Sequence, residues 1–335
     1  MTGITKILFL LAIVLAFFLL YRLVERRQHI LAAYETEKEE SAKYEHFETM
    51  PLISNSKNLT LPLKEYAIMS SWNSATNSSG DVSLDALDNV LTRGYRFIDL
   101  EIYSVNNVPN VSFSIEKSAD IMESTPLLFL DVMNRIVLKG FSSNNGQDPL
   151  FLHLRIKSKN PLIFEKLADI ITDLCKPRLY SSVVTGDTPI SNVSGKLVIV
   201  VDRNYSPKSE TYECIGSCKN DFKALINMYS GTPEFESMES THKLEQPTTP
   251  LLKISDGLTN VNKIRMVTHS MGSLNVDENG PYFYKLVKNY SVQIYPQKVY
   301  FRDSNLHIYE EFFANNGHRA FVPMANARED LEDKV

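Results

Sequence analysis

Cysteine is scarce in this 335-residue chain. Three residues are too few for a disulfide scaffold, and none stands in a C-x-x-C pair or a Cys/His cluster with zinc-ligand spacing. Glycine (13) and proline (15) are sparse, which excludes a collagen-like or low-complexity chain. Neither sign of charge dominates: 35 Lys+Arg against 40 Asp+Glu leave −5, with no basic stripe, so nucleic acid is not an expected partner. What is present, 43% hydrophobic and 10% aromatic residues, is the composition of a globular protein.

The amino terminus carries one long apolar run. Ile7 to Tyr21 is unbroken, and Ile4 to Val24, with Lys6 and Arg22 free to snorkel, is long enough to cross a bilayer core of roughly 30 Å. Phe17–Arg22 offers no small-residue cleavage site, which favours an uncleaved anchor over residues 1–24 rather than a signal peptide. Arg22, Arg26 and Arg27 favour a cytoplasmic body. N-x-S/T sequons at Asn58, Asn77, Asn110, Asn192, Asn204 and Asn289 favour the opposite side, so the sequence leaves sidedness open. Residues 25–50 are dense in Glu, Lys and Arg and read as a solvated helical stalk.

The body, 51–325, alternates strand and helix patterns, with a polar tail over 326–335. Strands are expected at Tyr66–Ser71, Tyr95–Tyr103, Asn110–Ser114, Leu150–Lys157, Lys196–Asp202, Ile264–Thr268, Ser291–Tyr295 and Arg319–Met324. Helices are expected from the Ser83 cap to Gly94, from Pro126 to Gly140, from Asn160-Pro161 to about Cys175, and over Ile308–Asn316. A loop-rich insertion is expected over about 205–262. Repeated strand-then-helix units predict an α/β fold with a parallel sheet, closed as a (β/α)8 TIM-type barrel.

Two local patterns bear on chemistry. Thr268-His269-Ser270-Met271-Gly272 follows a strand and resembles a lipase nucleophile elbow, with Asp277, Asp303, His307 and His318 downstream. Against it, Thr268 replaces the first Gly, and 273–281 reads as a turn where a helix is needed. Cys214 and Cys218 are spaced for a small disulfide or are free thiols; Cys175 reads as core.

Several segments together resemble the phosphoinositide-specific phospholipase C family. Ile68-Met69-Ser70-Ser71-Trp72-Asn73 is similar to its strand ending in Ser-Ser-His-Asn. Leu91–Glu101 is similar to its Leu-x-x-Gly-x-Arg-x-x-Glu-x-Asp segment. Phe129–Met133, Pro149–Arg155 and Ser194–Ile199 stand where the family has Phe-x-x-Val, Pro-x-x-Leu-x-x-Glu and a Gly-Lys strand. Ile294-Tyr295-Pro296 and Arg302-Asp303-Ser304-Asn305 echo the signature of its second half. The resemblance implies a barrel that binds calcium and uses two histidines in phosphodiester chemistry.

Carried over by position, the catalytic groups are missing. The first His falls on Trp72, which cannot take a proton, and the second near Phe113, where no side chain titrates. The calcium-binding Asn is kept as Asn73, and the acid pair, in swapped order, as Asp99 and Glu101. The last calcium-binding Glu falls on Arg155, a charge change of about +2 where calcium needs anionic oxygen. His153, Arg155 and Lys157 share one face of their strand, as Asp99 and Glu101 share one face of theirs. The expectation is that the Arg155 guanidinium occupies the calcium position and pairs with Asp99 or Glu101. Trp72 is expected to pack as a core aromatic and His153 to be a satisfied, bound histidine.

The resemblance, with its catalytic groups missing, implies a pseudoenzyme with no cofactor, and the apolar run implies that it is anchored in a lipid bilayer through residues 4–24. The resemblance to proteins encoded by large DNA viruses implies a role in a virion membrane or between capsid and membrane, with other virion or membrane proteins as partners. The competing expectations are an active lipid phosphodiesterase, a serine esterase centred on Ser270, and a phosphoinositide-headgroup binder using His153, Arg155 and Lys157 on phosphate.

Overall fold

The computed structural model of the chain divides into two compact units, Met1–Lys43 and Tyr44–Val335. It describes residues 12–18, 20–22, 24–25 and 28, and residues 60–327 apart from 115–121, 123, 207, 215–217, 241–262, 270–278 and 280–282. In the first unit every described residue is helical, with its apolar side chains outward, Phe17 being 71% exposed. No helix among the described residues is long and apolar enough to cross a membrane. Much of the expected span over 4–24, nearly all of the stalk over 25–50 and most of the tail over 326–335 lie outside the described residues.

The body is a mixed α/β fold. Tyr66–Ile68 (β1) and Ser70–Ser71 (β2) are one extended segment broken at Met69, and Leu84–Thr92 (α1) follows. Ser83 caps α1 with its hydroxyl accepting from Ala86 N at 3.1 Å, so the helix starts where the Ser cap predicts. Next come Phe97–Val105 (β3), Val108–Ser112 (β4), Leu127–Leu128 (β5) and Phe129–Arg135 (α2). The last of these runs on as a π-helical turn, Ile136–Gly140. Leu150–Ile156 (β6), Leu162–Cys175 (α3) and Leu197–Asp202 (β7) complete the first half, and Cys175 is buried as expected.

The parallel core is β2–β3–β6–β7–β8, where β8 is Met228–Ser230. β4 pairs antiparallel with β3 through a tight turn, with Asn106 and Asn107 both at positive φ (51° and 63°), the conformation that a two-residue hairpin requires. β3, β6 and β7 are buried along almost their whole length, the mark of a sheet covered on both faces. One face of β3 and β6 (Ile98, Leu100, Ile102, Leu152, Leu154, Ile156) joins Leu87, Val90 and Leu91 of α1 and Ile163, Leu167 and Ile171 of α3 in a single apolar cluster.

Among the described residues the hydrogen-bond ladders do not close into the expected ring. Phe235–Ser240 (β9) and Ile264–His269 (β10) form a separate parallel pair, and β8 and β9 are joined by a turn at Gly231 rather than by a ladder. The strand expected at Ser291–Tyr295 is reduced to isolated parallel bridges, Ile294 to both Ile68 and Met266, and Gln297 to Ser71. Pro296 lacks a donor within this stretch, which limits a longer ladder. The last strand, Phe321–Pro323 (β11), runs antiparallel to β1 rather than parallel. It uses the break at Met69, whose N–H donates to Ala320 O while its carbonyl accepts from Arg96 and Phe97.

The region 205–262 is not uniformly loop. It holds short helices at Lys208–Thr211 and Phe222–Leu225 besides β8 and β9, while 241–262 lies outside the described residues. Phe283–Tyr290 (α4) was not expected from sequence; Ser304–Asn315 (α5) was, four residues later.

A buried ion pair ties α5 to the end of α1. Arg93 and Glu310 are each about 2% exposed and hydrogen-bonded, and Tyr95 Oη donates to Glu310 Oε1 at 2.7 Å. Burial first, and then the Glu310 charge, push the Tyr95 phenol well above its ordinary value. Removing one partner of a buried pair strands the other, at a cost of about 3–5 kcal/mol. Arg93→Ala should therefore lower the unfolding free energy of the body by that order in denaturant titration, whereas exposed Lys223→Ala should change it by less than about 0.5 kcal/mol.

Candidate functional site

The charged face of β3 and β6 is built by register. Parallel pairing sets Phe97 beside Phe151, Asp99 beside His153 and Glu101 beside Arg155, so successive rungs go from aromatic to acid–base pairs. Asp99, Glu101, His153, Arg155 and Lys157 are all buried, at 0–2% exposure. Charges so placed persist only when paired and hydrogen-bonded.

Arg155 is the hub. Its Nε donates to Asp99 Oδ1 at 2.9 Å and its Nη2 to Asp99 Oδ2 at 2.5 Å, a bidentate grip. Nη1 donates to Glu101 Oε1 at 2.5 Å, and Nη2 also to Asn73 Oδ1 at 2.5 Å. The guanidinium carbon lies over the Trp72 ring, 3.7 Å from its centroid, and 5.8 Å from that of Tyr205. Trp72 is buried, as a packing aromatic should be, yet what it packs on is the cation. Sequence expectation paired Arg155 with Asp99 or Glu101; it takes both.

Asn73 reaches this position from a left-handed backbone (φ 43°), a conformation that Asn tolerates better than most residues. Its N–H donates to Asp99 Oδ2 at 3.0 Å, and Ser74 Oγ accepts from Asp99 N at 2.9 Å. The loop after β2 is thereby fastened to β3. Glu101 Oε2 accepts from Lys157 Nζ (2.8 Å), Tyr103 Oη (2.7 Å) and Ser114 N (3.1 Å). Phe113 is buried in the apolar core beside Gly80.

His153 has partners on both nitrogens, as expected of a bound histidine. Nδ1 lies 2.7 Å from Asp99 Oδ1, and because an ionised carboxylate only accepts, the proton sits on Nδ1. Nε2 lies 2.9 Å from Ser230 Oγ, which is 3.4 Å from Asp202 Oδ2. Ser230, His153 and Asp99 thus repeat the bonding order of an acyl-transfer triad. Ser230 is 0% exposed, so the hydroxyl presents no open face to a substrate. Ser230, Asp202, Tyr103 and Tyr205 were missed by sequence reasoning. Asp202 and Ser230 become neighbours of His153 only through the β6–β7–β8 pairing, whereas Tyr103 continues the visible Asp99/Glu101 alternation.

Burial alone would raise the Asp99 carboxyl, but the Arg155 charge and hydrogen bonds from His153 and Arg155 hold it well below the ordinary carboxylate range. Arg155 shows the converse: burial would lower it, and Asp99 and Glu101 push it up instead. Lys157 is lowered, because burial outweighs Glu101. Among the described residues no cluster of three or more His, Cys, Asp or Glu is arranged to hold a metal ion. Ser270 lies outside the described residues, while His269 ends β10.

A carboxyl held low in the folded state stabilises the fold above its unfolded value, near 3.9, and that contribution fades as pH falls below it. Thermal unfolding of the body should therefore drop steeply below about pH 4. Asp99→Asn, which leaves Arg155 with Glu101 as its one carboxylate partner, should be less stable at pH 7 and lose less on acidification; an equal acid loss would show that Asp99 is not the group responsible.

No protein-family profile matches the chain, and no curated protein matches it by sequence. Solved structures do. PLC21 of L. pealei superposes with a TM-score of 0.60 at 16% identity, covering 79% of this chain and 37% of its own. PLC21 of S. officinalis gives 0.58 at 17%, covering 81% and 38%. A calcium-dependent phosphoinositol-specific phospholipase C from Pseudomonas sp gives 0.45 at 10%. This chain spans under two-fifths of the length of the two PLC21 proteins. The mixed α/β body is thus similar in fold to the phospholipase C structures of these cephalopods.

Proposed function

We propose that this chain is a membrane-anchored, phospholipase-C-like module that has exchanged a metal-dependent site for a buried ion-pair brace. In this reading it serves a structural or binding role, in a virion membrane, rather than turnover. The observation that carries the reading is Arg155. The oxygens of Asn73, Asp99 and Glu101 that a divalent ion would need are each within 2.5 Å of a guanidinium nitrogen. The residues present do not fit calcium: the third carboxylate ligand is replaced by a cation, and the two carboxylates that remain already face two cations, Arg155 and Lys157. Replacing one carboxylate by one guanidinium adds about +2, the charge that calcium would have supplied.

The Ser230–His153–Asp99 order favours a second reading, acyl transfer, and the burial of all three residues weighs against it. Burial also weighs against a phosphate gripped by His153, Arg155 and Lys157, since each already has a carboxylate partner.

Calorimetric titration of the folded chain with calcium should give no specific heat, and phosphoinositide vesicles should release no inositol phosphate. Arg155→Glu, which restores a carboxylate beside Asn73, Asp99 and Glu101, should gain a calcium isotherm if it keeps its near-ultraviolet dichroism. Specific calcium binding or calcium-dependent hydrolysis by the unaltered chain would overturn the reading. Covalent labelling by a fluorophosphonate, abolished by Ser230→Ala, would establish the second.

A further inference from the structure

We propose that the folded body resides in an oxidising, glycosylating compartment and carries N-linked glycans on Asn192 and Asn204. Two independent observations meet here. Cys214 and Cys218 are joined as a disulfide, and both are only half-buried, within reach of a soluble thiol reductant. Such a bond persists where thiols are not kept reduced, which excludes a glutathione-buffered cytosol. Its formation takes two protons and two electrons from the two thiols and delivers them to a disulfide donor, which leaves as a dithiol.

The fold sorts the sequons. Asn192 lies on the short helix Ile190–Val193 with an exposed side chain, its buried neighbours Ile190 and Val193 facing the other way. Asn204 is exposed on the turn after β7, which Asp202 Oδ1 holds by accepting from Asn204 N at 2.7 Å and Tyr205 N at 3.1 Å. By contrast Asn110 is 5% exposed, and its Nδ2, the atom that would bear the sugar, donates to Val108 O at 2.8 Å. Asn77 is half-buried, its Oδ1 accepting from Ser79 N and Asp81 N. Asn58 and the side chain of Asn289 lie outside the described residues. In the modification, asparagine Nδ2 displaces a lipid pyrophosphate from C1 of the donor sugar. An N–C bond forms, the C–O bond to pyrophosphate breaks, and Nδ2 gives up one proton.

With residues 4–24 as an anchor, this places the carboxy-terminal body across the membrane from the cytoplasm, against the bias of Arg22, Arg26 and Arg27. Charge flanks bias insertion, whereas a disulfide and a glycan each need the compartment's chemistry.

The test is the full chain made in cells with a secretory pathway. Asn192→Gln and Asn204→Gln should each remove one electrophoretic step sensitive to peptide N-glycosidase. Asn110→Gln should remove none from the protease-resistant, folded population. Cys214 and Cys218 should resist maleimide in denaturant until reductant is added. Glycan attachment precedes folding, so a misfolded variant still reports its step. A chain with no sensitive step, or with thiols labelled without reductant, overturns the compartment. A step retained by Asn192→Gln or Asn204→Gln overturns that site, and a step lost by Asn110→Gln overturns the sorting by burial.

Discussion

The pairing of Arg155 with Asp99 and Glu101 sets the terms for everything around it. Five ionisable side chains on two adjacent strands are sealed from water, and no arrangement of the body survives that does not neutralise them. The register of β3 on β6, the left-handed turn at Asn73, the Trp72 ring over the guanidinium and the Tyr103 hydroxyl on Glu101 all serve this one requirement. A one-residue slip of β6 would put Leu154 and Ile156 against the carboxylates and leave the cations in the apolar layer. The polar network therefore fixes the register as firmly as the hydrophobic face does.

The same device recurs at a distance. Arg93, Arg96 and Arg155 are the three largest fully buried side chains among the described residues. Arg93 holds α5 through Glu310. Arg96 donates to Gly140 O at 2.7 Å and to Ser143 Oγ at 2.9 Å, and also bonds Asn145, which in turn donates to Gly94 O at 2.8 Å. Burial lowers Arg96 to about 10, still far above neutrality. Three guanidiniums thus join chain segments far apart in sequence, through carboxylates, amides, a hydroxyl and a backbone carbonyl.

Much of this was legible before any coordinates, and the exceptions have identifiable physical causes. Period-2 alternation placed Asp99 with Glu101 and His153 with Lys157, because side-chain direction in a strand is a local property. Capping at Ser83 was equally local. Sheet closure, by contrast, depends on pairing between remote segments, and the stretch around Ile294 to Gln297 carries strand-like residues with isolated bridges only. The antiparallel run of β11 along β1 likewise joins the two ends of the body, which no local pattern reveals. Ser230 and Asp202 share the same obstacle, since nothing within either segment points to His153. Cys214 and Cys218 stood undecided because a spacing of four permits both states, and only geometry chooses between them.

The brace also explains why position 155 calls for arginine and not for any cation. Asn73, Asp99 and Glu101 come from a loop and a strand, and four of their oxygens are shared among three nitrogens of one guanidinium. A planar fork with donors at Nε, Nη1 and Nη2 meets all three at 2.5–2.9 Å while its face stacks on Trp72. A lysine ammonium would supply the charge but neither the bidentate contact with Asp99 nor the flat face. Lys157, two residues on, shows what an ammonium does here: its Nζ meets one oxygen of Glu101 at 2.8 Å, with the Tyr205 ring 5.5 Å away. Charge balance needs both cations, and the joining of separate chain segments at the hub comes from the guanidinium.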